Sequence, residues 1–122
     1  MINWEAMRRD MKNFINEDPW TITVYRRGKR TSDAETTWTF TARVVPVNAT
    51  GYMDVISSRL EAEGQITRAL FGIVAEWDTA QPKQGDEVWC EHTETGQELI
   101  GDVHFSRVYP YKQEIVCEQR QK

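Results

Sequence analysis

Residues 20–25, Trp-Thr-Ile-Thr-Val-Tyr, and residues 37–44, Thr-Trp-Thr-Phe-Thr-Ala-Arg-Val, decide the fold class. In both, every second side chain is apolar and most of the intervening ones are threonine. A pleated strand sends successive side chains to opposite faces, so Trp20, Ile22 and Val24 share one face, as do Trp38, Phe40, Ala42 and Val44. The polar stretch between them makes the two a hairpin. Further along, residues 66–77 are apolar on both faces through Ala69, Leu70, Phe71, Ile73 and Val74. That pattern predicts a central strand covered twice, or one bulged at Gly72. Gln81-Pro82-Lys83-Gln84-Gly85-Asp86 and Thr93-Glu94-Thr95-Gly96 read as turns on either side of Val88-Trp89-Cys90. Strands over 99–108 and 113–118 follow, joined by Tyr109-Pro110-Tyr111-Lys112. Regular short strands with turn signals between them predict a mainly β protein, a small antiparallel β-barrel or sandwich, of which we take the barrel.

Working outward to the N-terminus, residues 1–17 predict a helix. Asn3 is placed to cap it, Glu5 sets a negative charge at the positive end of its dipole, and Ile2 and Met7 fall at staple positions. Trp4, Met7, Met11, Phe14 and Ile15 recur at helical spacing over about four turns. Pro19 ends the helix by biasing Asp18 toward extended geometry. The apolar stripe is expected to plug one end of the barrel. A partner could instead take the helix, with Trp4 in the contact and Arg8 and Arg9 at its rim.

The 122 residues suit a single domain, 1–122, large enough to bury a core. No stretch approaches the roughly 20 apolar residues of a membrane span, and the first residues lack the layout of a secretion signal. Cys90 and Cys117 are expected as small buried hydrophobes in a reducing cytoplasm. Cys90 and His92 lack a second ligand pair at zinc-like spacing, so neither a metal nor any other cofactor is expected. Catalysis is not expected either. Cys90 with His92 or His104, and Asp86 with Glu87 and Asp102, sit on no nucleophile elbow, phosphate loop or metal motif.

Net charge is −4, against a free-standing nucleic-acid binder. The charge is uneven. Arg26, Arg27, Lys29 and Arg30 crowd the first hairpin tip, while residues 76–102 hold Glu76, Asp78, Asp86, Glu87, Glu91, Glu94, Glu98 and Asp102 against Lys83 alone. Two solvated faces would account for this. A sharper reading is head-to-tail contact between copies, with Arg26 and Arg27 of one against an acidic edge containing Glu87 and Glu91 of the next.

One segment breaks the rhythm of strands: residues 48–65, too long for an ordinary connection in a compact β domain. Gly51 and Gly64 bracket it, and Tyr52, Val55, Ile56 and Leu60 recur at helical intervals, so a short helix over 52–62 is one expectation. Such a helix would cap the open barrel end. A mobile loop that orders on assembly is the other.

An N-terminal helix, then Asp18-Pro19-Trp20-x-Ile22-Thr23-Val24-x-Arg26, the long insertion, Phe71-Gly72-x-x-Ala75, Gly85-Asp86-Glu87-Val88 and a closing Ile115-Val116-Cys117-Glu118 resemble the head-closure (stopper) proteins of long-tailed bacteriophages. The likeness spans nearly the whole chain and rests on the order and spacing of these segments. It implies a virion protein of the head–tail interface, made in the host cytoplasm. The barrel would form a homo-oligomeric ring of roughly twelvefold symmetry, a dodecamer, below the portal and adaptor proteins and above the tail terminator or tail tube. The family's long loop projects toward the central channel and holds packaged DNA without reading its sequence. The matching residues are Thr50, Gly51, Tyr52, Met53, Asp54, Val55, Ile56, Ser57, Ser58 and Arg59. A tail-completion or tail-terminator barrel on the other side of the joint is the nearest competitor. A small barrel that binds a ligand on Trp89 and Tyr109 to Tyr111 is the unrelated one.

Overall fold

The computed structural model describes residues 2–27, 36–46 and 70–120. They form helix α1 (Trp4–Glu17) and strands β1 (Trp20–Arg26), β2 (Thr36–Pro46), β3 (Leu70–Ala75), β4 (Glu87–His92), β5 (Glu98–Tyr109) and β6 (Lys112–Gln119). Every neighbouring pair is antiparallel, and the sheet closes in the order β1-β2-β3-β6-β5-β4. Closure pairs each of these six strands on both sides.

The alternation read from the sequence sets the inside of this barrel. Ile22 lies opposite Phe40 and Val24 opposite Trp38, so the apolar faces of β1 and β2 coincide. Ile22, Val24, Ala42, Ile73, Ala75, Val88, Ile115 and Cys117 have no solvent exposure, and with Trp20, Phe71, Cys90 and Val103 they fill the interior. Each fully buried valine or isoleucine contributes roughly 1.5–3 kcal/mol. The barrel is a packed core, not a pore.

β3 is covered on both faces. Phe71, Ile73 and Ala75 face inward, while Val74 packs outside with Val45, Val116, Met11, Phe14, Leu70 and Phe105. β3 runs unbulged through Gly72, and the register shift falls in β5 between Val103 and Phe105. That shift turns Phe105 outward to join the helix cluster. β5 pairs with β4 through Glu98 to Asp102 and with β6 from Gly101 onward, so it links two walls. At the junction a Cβ on Gly101 would meet Phe71 Cε1 at 2.7 Å and the Glu118 carbonyl at 2.8 Å. Only glycine lets the Phe71 ring lie there.

The helix begins as its sequence predicts, with Ala6 N–H donating to Asn3 Oδ1 at 3.1 Å. Ile2 is 60 % exposed, however, so the expected staple buries little. Nor does α1 plug the barrel. Its Met11 and Phe14 lie on the outer wall of β2, β3 and β6, and Arg43 Nη1 donates to the Phe14 carbonyl at 3.0 Å.

The connection 76–86 closes the mouth instead. Gln113 donates to the Thr79 carbonyl, Trp38 Nε1 to the Ala80 carbonyl at 3.2 Å, and Ser106 Oγ to the Pro82 carbonyl at 2.5 Å. Pro82 is fully buried. The physical reason is polarity: the mouth presents the buried amide of Gln113 and the indole N–H of Trp38, which need acceptors. An extended connection offers free carbonyls where a helix has spent its own.

At the other end, Trp20 packs edge-on against His92 at 4.9 Å. Thr95 N–H donates to His92 Nδ1 at 3.1 Å, so that nitrogen carries the lone pair and Nε2 carries the proton it gives to Asp18 Oδ1 at 2.5 Å. This bond holds the Asp18 carboxyl below its usual range and ties the helix end to the β4–β5 turn.

Candidate functional site

All strands being antiparallel, the connections divide between the two barrel ends. The β1–β2 connection, residues 76–86 and the Pro110-Tyr111 turn belong to one end. The β2–β3 connection and the Thr93-Glu94-Thr95-Gly96 turn belong to the other. Pro46 lies opposite Phe71 in register, so β2 and β3 are adjacent where the chain leaves and re-enters. A turn of a few residues would join such neighbours. The sequence spends residues 47–69 there. The expected gate, Thr50 to Arg59, lies within that stretch and outside the described residues.

An open cleft of about 580 Å³ lies at the first end, between Tyr25 to Arg27, the turn at Lys83 to Glu87, and Arg120. Its turn is built by Asp86. Lys83 N–H donates to Asp86 Oδ2 at 2.8 Å, Asp86 N–H donates to the Lys83 carbonyl at 3.0 Å, and Gly85 takes φ +93°, which favours glycine. Asp86 is 4 % exposed and accepts from Arg26 Nη2 at 2.7 Å and Arg26 Nε at 3.0 Å. On the far wall Arg120 Nη1 meets Glu87 Oε1 at 3.0 Å, and the same guanidinium bonds Asp102. Hydrogen bonds to these carboxylates raise the pKa of both arginines. Arg27 and Lys83 are exposed at the cleft and have no carboxylate partner among the described residues.

This geometry revises the expected docking residues. Arg26, expected to reach another copy, is held by Asp86 of its own acidic run. Antiparallel pairing of β1 with β4 sets Tyr25 opposite Glu87 and so brings the basic tip beside the acidic start of β4. Glu87 is likewise spent on Arg120 and on the Trp89 indole N–H, which donates to it at 2.6 Å. Trp4 stacks on Tyr111 at 6.1 Å, and Arg8 donates to the Pro110 carbonyl at 2.8 Å while lying 3.7 Å over the Trp77 ring. Both therefore bind the helix to the barrel. Arg9, Arg27 and Glu91 stay exposed. Sequence reasoning passed over Lys83 and Arg120 as cleft residues. The Pro-Lys-Gln-Gly-Asp turn was legible, but nothing local to Arg120 signals its partners.

The proposed aromatic platform is divided. Trp89, 45 % exposed, stands on β4 with Tyr25 edge-on at 5.9 Å and borders a groove of about 210 Å³ with Thr23 and Ile100. Tyr109 and Tyr111 lie at the far end of β5 under the helix N-terminus. Cys90 and Cys117 are free thiols of the interior. Burial pushes Cys90 up to about 12, and burial first, with Cys90 and Asp102 adding, raises Cys117 well above its ordinary value. Protonated thiols of this kind are poor nucleophiles. Among the described residues no three His, Cys, Asp or Glu side chains gather as metal ligands. Comparison of the chain with family models, with curated proteins and with solved structures finds no match.

Proposed function

We propose that this protein is a structural component of a phage neck, a ring-forming head-closure protein whose residues 48–65 gate the DNA channel and whose outer surfaces meet the portal or adaptor above and the tail below. The observation that carries the reading is the register of β2 and β3. Because Pro46 and Phe71 are already opposite one another, barrel closure needs almost none of the residues 47–69. Residues beyond those that joining two adjacent strands requires are available for a function of their own.

The packed interior supports a second part of the reading. DNA cannot pass through a barrel filled by Ile22, Ile73 and Ile115, so in this reading the channel lies between copies arranged in a ring. Net charge of −4 suits a wall that lets DNA slide, since clustered cations would hold it by counterion release.

The test is electron microscopy of particles from a lysate in which the gene is disrupted, and from one expressing a chain lacking residues 52–59. Disruption is expected to yield heads that leak DNA beside complete free tails. The deletion should leave a folded ring with leaking heads. Stable, filled heads beside defective tails would move the protein to the tail side of the joint, and normal virions would reject the structural role.

A further inference from the structure

Among the described residues, the two ends of the barrel carry opposite charges that have no partner within the chain. At the cleft, Arg27 and Lys83 are exposed with no carboxylate partner among the described residues, while Arg26 and Arg120 beside them are already paired. At the opposite end, Glu94 is exposed at the tip of the β4–β5 turn and has no cationic partner among the described residues, with exposed Glu91 just before it.

That turn is stiff. His92 N–H donates to the Gln97 carbonyl at 2.8 Å, Gly96 N–H to the His92 carbonyl at 2.9 Å and Thr95 N–H to His92 Nδ1 at 3.1 Å, with Gly96 at φ +73°. Binding there orders the Glu94 side chain but leaves the turn's backbone as it is, which lowers the entropy lost.

We infer that the acidic turn of one copy seats in the basic cleft of the next, Glu94 meeting Arg27 and Lys83. Glu87 borders the cleft and His92 opens the turn, at opposite ends of one strand, so a single copy cannot bring its own two sites together. The contact joins unlike surfaces, and such a contact repeated with a rotation closes a ring. The cleft suits a carboxylate better than a nucleic-acid backbone. Among the described residues, Asp86 and Glu87 within it offset two of its four cations, fewer than a row that tracks phosphates, and the whole chain is negative. This inference rests on the ring reading and specifies its contact.

The experiment is sedimentation velocity on the full chain over a range of concentration and salt, with two reversal variants. One carries Arg27→Glu and Lys83→Glu, the other Glu94→Lys. All three positions are exposed, and circular dichroism checks that the variants fold. Wild type is expected to assemble, and each variant alone to associate about tenfold or more weakly, since like charges then meet. An equimolar mixture of the two should assemble again, because acidic turn meets basic cleft and basic turn meets acidic cleft alternately. If wild type and both variants assemble equally, the contact lies elsewhere and the ring survives. A wild type that is monomeric throughout overturns the ring and this contact together. Loss of duplex-DNA binding in the cleft variant, with assembly unchanged, overturns the contact in favour of a phosphate site.

Discussion

Replacing Asp86 by alanine should destabilise this protein markedly. The carboxylate is 4 % exposed and accepts from Arg26 Nη2 at 2.7 Å, Arg26 Nε at 3.0 Å and Lys83 N–H at 2.8 Å. Removing one partner of a buried ion pair costs about 3–5 kcal/mol, and a hydrogen bond to a charged group contributes about 1.5–3. The Arg26 side chain is 34 % exposed and can turn to water once freed, so the lower end applies, about 3 kcal/mol. For a chain of this size that corresponds to a fall in Tm of roughly 12 °C. Urea unfolding followed by tryptophan fluorescence measures it, with an unchanged m-value showing that the native state is intact. A double-mutant cycle with Arg26→Met, which retains the stem beneath Trp38, should return a coupling of about 1.5–3 kcal/mol. A loss below about 1 kcal/mol, or no coupling, would mean that the pair is a surface contact and that the 83–86 turn stands without it.

Other outcomes follow from particular contacts. Gly101→Ala forces a methyl against Phe71 and the Glu118 carbonyl, and should destabilise by about 1–3 kcal/mol in the same urea assay. Pairing Gly101→Ala with Phe71→Leu should recover part of that loss. The buried Cys90 and Cys117 thiols should react with a thiol reagent at pH 8 only in denaturant, so prompt labelling of the native protein would contradict their burial. Asp18, whose pKa is lowered chiefly by the His92 hydrogen bond, adds stability that is present above its unfolded value near 3.8 and lost as pH falls through the lower folded value. Asp18→Asn should therefore be less stable than wild type at pH 7, with the gap closing below about pH 4. A gap independent of pH would show that the carboxylate charge is not what His92 holds.

Local patterns were legible residue by residue. The alternation in 20–25 and 37–44 picks out the face that meets the core, with Trp20, Ile22, Val24 and Ala42 buried and Trp38, Phe40 and Val44 half-buried against them, and Asn3 caps the helix from the position its type suggests. Each depends on neighbours a few residues away, and so does the glycine that each tight turn requires. The candidate site was legible only in part. Arg27 was picked out from its place at a basic hairpin tip, but its neighbour Arg26 is claimed by a carboxylate 60 residues later in the chain.

By itself, the sequence determined strands, turns, one amphipathic helix and a segment in excess of what connecting them needs. Which element closes the barrel mouth, which wall the helix covers and which charges remain free were decided by the tertiary structure. Alternation says that a side chain points inward or outward, but not what stands across from it. That depends on the register of every strand around a closed sheet, where the bulge after Val103 resets one face and the pairing of β1 with β4 brings Arg26 to Asp86. Register is a property of the whole ring of hydrogen bonds, so no window of the chain contains it.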